Sequence, residues 1–228
     1  MCGRYSLTTA PEAMRDMFGF ENLPNLAPRF NIAPTQDVAV VRRAAGGARE
    51  LAMLRWGLIP SWAKDAAIGA PMINARAETV AHKPAFKSAF RERRCLVPAD
   101  GFYEWRAAAD GKQPFRIGFA DGAVFAFAGL WERWTGPEDT GDVVESVTII
   151  TTDANDKLRP IHHRMPAILD PGDYAAWLDP ELGAEETSRL LRPHGPETMA
   201  FYRVGTRVNN ARHDDPECIA ALAPAPEA

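Results

Sequence analysis

The chain reads as one α/β domain of the α+β type, rich in strands and flanked by short helices. Three observations predict this. Apolar, β-branched runs recur along the 228 residues, while helical periodicity is confined to short stretches. Strand patterns do not alternate with long helical ones, so few parallel crossover units are expected. No repeat and no linker divides the chain, and 46% hydrophobic with 25% charged residues suits one buried core. We expect a single domain over 1–220 and a disordered Ala/Pro-rich tail over 221–228.

Each element has a local reason. Pro11 to Phe20 reads as a short helix, with Thr8 or Thr9 as N-cap and Glu12 in the first turn. Asn22 to Pro34 is Pro- and Asn-rich and reads as a loop. Val38 to Arg43 and Leu51 to Trp56 form a strand pair through the turn Ala44-Ala45-Gly46-Gly47. Gly57 to Pro71 is irregular, Glu78 to Phe90 is a predicted helix, and Cys95 to Pro98 is a short apolar strand. Phe102 to Trp105 and Pro114 to Phe119 are arms of a hairpin closed through Asp110-Gly111. Val124 to Trp131 is a strand. Val143 to Thr151 is the strongest one, β-branched and nearly continuous, so buried on both faces. Short helices are expected at Asp153 to Leu158, at Tyr174 to Leu178 following Asp170-Pro171, and at Glu185 to Leu191, with a strand at Phe201 to Val204.

Bulk chemistry narrows the function. The net charge of −4 counts against a non-specific nucleic-acid coat, although it leaves room for a local basic cleft. Basic residues do cluster, as Arg76, Lys83, Lys87, Arg91, Arg93 and Arg94; by itself such a run reads as a solvated helix face. Cys2, Cys95 and Cys218 are too few and too scattered for a disulfide framework or a zinc site, and no HxxH or CxxC spacing suggests a metal. No signal peptide is expected from the start Met1 to Ser6, and no apolar run in the sequence approaches the roughly 20 residues of a membrane span. A cytoplasmic, reducing location is expected.

Four positions stand out chemically. Removal of Met1 would leave Cys2 with an α-amine and a thiol on adjacent carbons. The amine, with a pKa of roughly 8, can condense with an aldehyde, and the thiol can then close a thiazolidine ring. Glu104, flanked by Phe102, Tyr103 and Trp105, would have a raised pKa if buried, which suits general acid–base work; an outward-facing strand residue is the plainer reading. Asn74, with Arg76, opens the predicted helix at Glu78 and could position a small polar group and a phosphate. His162 and His163 are adjacent, so on a strand at most one would face a site. No Gly-rich phosphate loop and no Gly-x-Ser-x-Gly elbow competes with these.

Seven motifs in order resemble the SOS response-associated peptidase (SRAP) family. They are Met1 to Tyr5, Phe30 to Thr35, Arg55 to Trp62, Ile73 to Thr79, Cys95 to Trp105, Ile149 to Thr152, and Ile161 to Pro166. The resemblance implies a curved, barrel-like antiparallel or mixed sheet with a positively charged DNA channel. It also implies a sensor of abasic sites in single-stranded DNA, acting in the DNA-damage (SOS) response. Cys2 would capture the ring-opened sugar as a thiazolidine crosslink, which shields the lesion. Asn74 matches the residue that hydrogen-bonds at the sugar and N-terminus, Glu104 the proton acceptor and donor, and His162 the histidine assisting ring opening and any β-elimination. Arg4, Arg76 and Thr151 match residues near the DNA backbone or sugar, and Asn31, Pro34 and Trp62 match residues that shape the floor and stack on bases. Ala63 follows Trp62 where some relatives carry a second Trp, which predicts weaker stacking. No cofactor, no metal and no membrane partner is implied, and a monomer is expected. Two other readings stay open: a thiol peptidase acting on itself or on peptides, and a non-covalent reader of modified bases. Strand cleavage by lyase action is compatible with the crosslinking reading.

Overall fold

The apolar runs pair into two sheets that meet face to face. The computed structural model describes residues 2–108, 111–137 and 141–223. Its strands in chain order are β1 (Tyr5–Leu7), β2 (Arg29–Ile32), β3 (Asp37–Arg43), β4 (Arg49–Trp56), β5 (Asn74–Arg76), β6 (Arg94–Ala99), β7 (Gly101–Ala108), β8 (Gly111–Phe119), β9 (Phe125–Thr135), β10 (Val143–Asp153), β11 (Arg164–Pro166), β12 (Ile168–Leu169) and β13 (Met199–Arg203). The helices are α1 (Pro11–Phe18), α2 (Lys87–Glu92), α3 (Tyr174–Leu178) and α4 (Ala184–Arg189).

Strands β4, β3, β6, β9 and β10 close on themselves into a mixed barrel. The closing pair, β10 with β4, is parallel, with Ser146 opposite Arg55 and Val147 opposite Trp56. Closure explains why Ser146 to Thr152 is buried on both faces, one side filling the barrel and the other covered, whereas Val143, where the strand runs past the closure, is 49% exposed against the expectation for the whole run. Short β5 adds to β10 in parallel, placing Asn74 opposite Ile149 and Arg76 opposite Thr151. A second, antiparallel sheet runs β13-β8-β7-β1-β2. Tyr5 and Phe102 from this sheet pack edge-on against Trp56 and Phe127 of the barrel, with ring centroids 5.3–6.0 Å apart. Gly57, after β4, has φ +132°, and a Cβ there would meet the Gly69 carbonyl oxygen at 2.7 Å. The Trp56-Gly57 step therefore requires glycine to fold the irregular segment back on the barrel.

Several expectations are corrected. The N-cap of α1 is Ala10, followed by Pro11; the Thr8 and Thr9 hydroxyls instead donate to the buried Asp100 carboxylate, at 2.7 and 3.4 Å. The Asn22–Pro34 loop contains β2, whose pairing with β1 is long-range and so leaves no local pattern. Of the predicted helix from Glu78 to Phe90, only Lys87 onward is α-helical; Pro84, lacking an N–H, interrupts it, and the preceding residues form successive turns. Asp153 ends β10, and the residues after it turn without forming a helix, with Asn155 Oδ1 accepting the Leu158 N–H at 3.0 Å. Ala221 bridges Val204 and the Leu222 N–H donates to the Arg203 carbonyl, so the ordered chain reaches into the segment expected as tail. Asp110 of the predicted turn and residues 224–228 lie outside the described residues.

Candidate active site

The junction of the two sheets gathers the four chemically distinctive residues. Cys2 leads into β1 and Glu104 sits on β7, strands of the second sheet; Asn74 opens β5 and His162 precedes β11, both on the barrel side. Cys2 is fully buried, its Sγ 3.8 Å from the Arg4 carbonyl. Burial pushes its thiol well above the ordinary range, and the Glu104 carboxylate adds to the rise. The Asn74 Nδ2 group donates to the Cys2 carbonyl at 2.8 Å, which fixes residue 2 against the barrel. The Asn74 Oδ1 is buried with no hydrogen-bond partner among the described residues, an acceptor in reserve beside Cys2.

Glu104 is only 4% exposed, so the outward-facing reading of this strand residue does not hold. Burial raises its carboxyl to about 7, and the nearby His163 charge opposes part of that rise. Glu104, His162, Trp105, Lys112 and Asn209 line an open cavity of about 480 Å³. The His162 Nδ1 lies 3.0 Å from the Arg164 backbone N–H and 3.1 Å from the Arg164 carbonyl. An N–H only donates, so the neutral ring accepts there and keeps its proton on Nε2. Burial lowers the His162 pKa, and the charges of Arg164 and Lys112 add to the effect, which favours that neutral form. Residues 162 and 163 fall just before β11, so strand alternation does not separate them; their rings stack at 4.5 Å.

Arg164 ties two motifs together. It is 8% exposed, pairs with Glu78 at 2.6 Å and Asp153 at 2.8 Å, and donates to the Thr151 carbonyl at 2.6 Å. The other expected residues divide by depth. Arg76 is exposed on β5, Pro34 is half-buried, and Trp62 is 60% exposed on the irregular segment. Thr151 is fully buried with its hydroxyl on the Ala75 carbonyl at 3.3 Å. Asn31 is also fully buried: its Nδ2 donates to the carbonyls of Val208, Asn210 and His213, and its Oδ1 accepts from Arg4 at 2.9 Å. Arg4 donates further to the Val208 carbonyl at 2.6 Å. Thr151, Asn31 and much of Arg4 thus brace the site from beneath. The basic stretch does not form one face. Arg94 is buried and donates to the carbonyls of Phe90, Arg91, Trp177 and Asp179, and Arg93 pairs with Glu132 at 2.9 Å.

Sequence reasoning missed Lys112 and Asn209 in the cavity wall. An Asn in a turn and a Lys beside a hairpin carry no distinguishing local signal. Among the described residues no group of three or more His, Cys, Asp or Glu is placed to hold a metal ion, and no helix is long and apolar enough to cross a membrane.

Comparison with known proteins adds an independent line. The family model described as SOS response associated peptidase (SRAP) matches residues 1–211. The abasic site processing protein YoqW of Bacillus subtilis is 41% identical over 224 residues, spanning 96% of this chain and 99% of that protein. The abasic site processing protein HMCES of Xenopus tropicalis is 34% identical, spanning 97% of this chain and 78% of that one. A crystal structure of a Bacteroides thetaiotaomicron protein superposes with a TM-score of 0.88 at 28% identity, covering 97% of this chain and all (100%) of that chain. A Bordetella bronchiseptica structure gives 0.77 at 30% identity, covering 90% of this chain and 100% of that one.

Proposed function

Because this chain belongs to the SOS response associated peptidase (SRAP) family, we propose that it captures abasic sites in single-stranded DNA as a covalent adduct of Cys2. The names of its relatives as abasic site processing proteins support the substrate. The observation that carries the chemistry is the Asn74 bond to the Cys2 carbonyl at 2.8 Å, beside a buried carboxyl that titrates near 7 and an open cavity.

The reaction needs no cofactor. Once Met1 is removed, the Cys2 amine attacks the C1′ aldehyde of the ring-opened sugar; about a tenth of such an amine is neutral at pH 7. Glu104 protonates the leaving hydroxyl of the carbinolamine, one water departs, and an imine remains. The Sγ then adds to the imine carbon while its proton passes to the nitrogen through Glu104, which closes the thiazolidine. One C–N and one C–S bond form and one water is released overall. Asn74 keeps the amine in place, and His162, neutral with Nε2–H, assists sugar ring opening. The same histidine would promote β-elimination of the 3′ phosphate as a slower lyase step.

An abasic nucleotide has no base to unstack, so drawing it into the cavity costs little, and this favours the lesion over intact strand. Exposed Arg76 meets a phosphate and Trp62 stacks on a neighbouring base, while Arg4, Asn31, Pro34 and Thr151 shape and support the floor. The protein acts as a monomer in the cytoplasm, on the nucleoid when bound, and shields the lesion during the DNA-damage response.

The test is intact-mass analysis of methionine-free protein incubated with abasic single-stranded DNA. A stable adduct equal to protein plus strand minus one water is expected, and its absence would sink the proposal. In Cys2→Ala only a reversible imine should form. Peptide cleavage dependent on Cys2 without DNA adducts would favour a thiol peptidase. Binding that survives Cys2→Ala and tracks base identity would favour a base reader.

A further inference from the structure

The open side of the cavity carries more hydrogen-bond donors than the capture chemistry uses. Lys112, exposed on β8, forms no ion pair among the described residues, although its charge reaches His162 across the cavity. Asn209 is fixed by its neighbours. Its Oδ1 accepts the Trp105 indole N–H at 2.8 Å, and its own carbonyl accepts Arg4 Nη2 at 3.3 Å. The preceding carbonyl, that of Val208, is held by both Arg4 and Asn31. An indole nitrogen only donates, so the Asn209 amide must turn its oxygen to Trp105. That leaves the two N–H groups of Nδ2 with no acceptor among the described residues. The acid lining this cavity, Glu104, is buried, so the open wall presents the Lys112 ammonium and the Asn209 amide NH₂.

We propose that Lys112 and Asn209 form a phosphate-binding flank of the cavity that receives a phosphodiester next to the captured lesion. The proposal rests on the reading of the site as one for abasic DNA. Donors from rigid backbone neighbours and one flexible ammonium suit an anion with several acceptor oxygens. An uncharged ligand would leave the ammonium without a counter-charge. Asn209 belongs to the segment that Asn31 and Arg4 clamp, so its amide is set before any strand arrives. That makes Asn209 a positioning group for the strand, while Lys112 supplies charge.

The test uses full-length protein and a fluorescent single strand carrying a tetrahydrofuran abasic analogue. This analogue has no aldehyde, so only non-covalent binding is read. Fluorescence anisotropy between about 50 and 300 mM salt gives both the affinity and its salt slope. Lys112→Gln should weaken binding about 3- to 10-fold and reduce the slope by about 0.7, one phosphate contact on a single strand. Asn209→Asp keeps an acceptor for Trp105 but replaces the donors with a carboxylate, and should weaken binding at least about tenfold. Exposed Lys112 can be changed without disturbing packing, so that variant carries the test if Asn209→Asp misfolds. Unchanged affinity and slope in Lys112→Gln would overturn the proposal. So would loss of inorganic phosphate binding in the variants without any effect on the strand, because the site would then take a free anion. Adduct formation by the wild type with an aldehyde-bearing strand, run in parallel, tests the capture reading by itself, so the two failures are distinguishable.

Discussion

Ionising Glu104 costs folding energy, because the carboxyl is buried and its pKa stands at about 7 against an ordinary 4.5. Between those values the folded protein holds a proton that the unfolded chain has released. Unfolding free energy therefore falls as pH rises from about 4.5 through 7, and the contribution is fully lost above that. Glu104→Gln, neutral at every pH, should be more stable than wild type at pH 8 by about 1–3 kcal/mol, measured by urea denaturation. The same variant should slow adduct formation by about 10²- to 10⁴-fold, since an amide cannot shuttle the proton. His162→Ala should leave the Cys2 adduct in place but reduce strand cleavage 3′ to the lesion by about tenfold or more, read on a denaturing gel. Cys2, Asn74, Glu104 and His162 were legible in the sequence because each sits in a short motif where a polar group interrupts apolar neighbours. What those motifs hide is depth. Thr151 and Asn31 look like surface contacts in the sequence, yet both are fully buried, bonded to backbone carbonyls.

At the scale of elements, the last described segment behaves as a strap across the second sheet. Asn31 donates to three of its carbonyls, and Asp214 returns the favour by accepting the backbone N–H of Asn31 at 2.9 Å and pairing with Arg29. Asn31→Ala would leave the Asn210 and His213 carbonyls without this donor, the Val208 carbonyl keeping Arg4, and should cost about 1–3 kcal/mol in urea unfolding. Amide hydrogen exchange should rise first in residues 206–215, before the barrel strands, because the strap would open locally. Strands with β-branched runs, such as β10 and β3, were readable from composition alone. The failures share one cause: β2 and the strap are held by partners far away in the chain, 27 residues separating Arg4 from Asn31 and 182 separating Asn31 from His213. Local pattern cannot report such pairing. The predicted helix at Glu78 stops short for a local reason: Pro84 lacks the N–H that a helix through it needs, and only Lys87–Glu92 is α-helical.

For the whole molecule, closure of the barrel depends on β4 meeting β10 in parallel, with Arg55 opposite Ser146. A contact of that span must overcome a large loop-closure entropy, so folding should be slow for a domain of this size, and stopped-flow refolding should be completed in milliseconds to seconds rather than microseconds. Sequence alone gave strands enough for a sheet, while the closing contact that makes them a barrel has no local signature. That closure also sets a timetable. During synthesis Cys2 is the first of the proposed site residues to leave the ribosome, whereas Glu104, His162 and Asn209 follow about 100, 160 and 207 positions later. A nascent chain already stripped of Met1 would carry a bare aminothiol with no carboxyl to speed it and no barrel to shelter it. A reactive carbonyl met at that stage would engage the amine and thiol of the proposed site with no lesion to hold. On the proposed chemistry, newly made protein is open to small aldehydes until its C-terminal third has arrived, and the strap at residues 206–215 marks the end of that exposure.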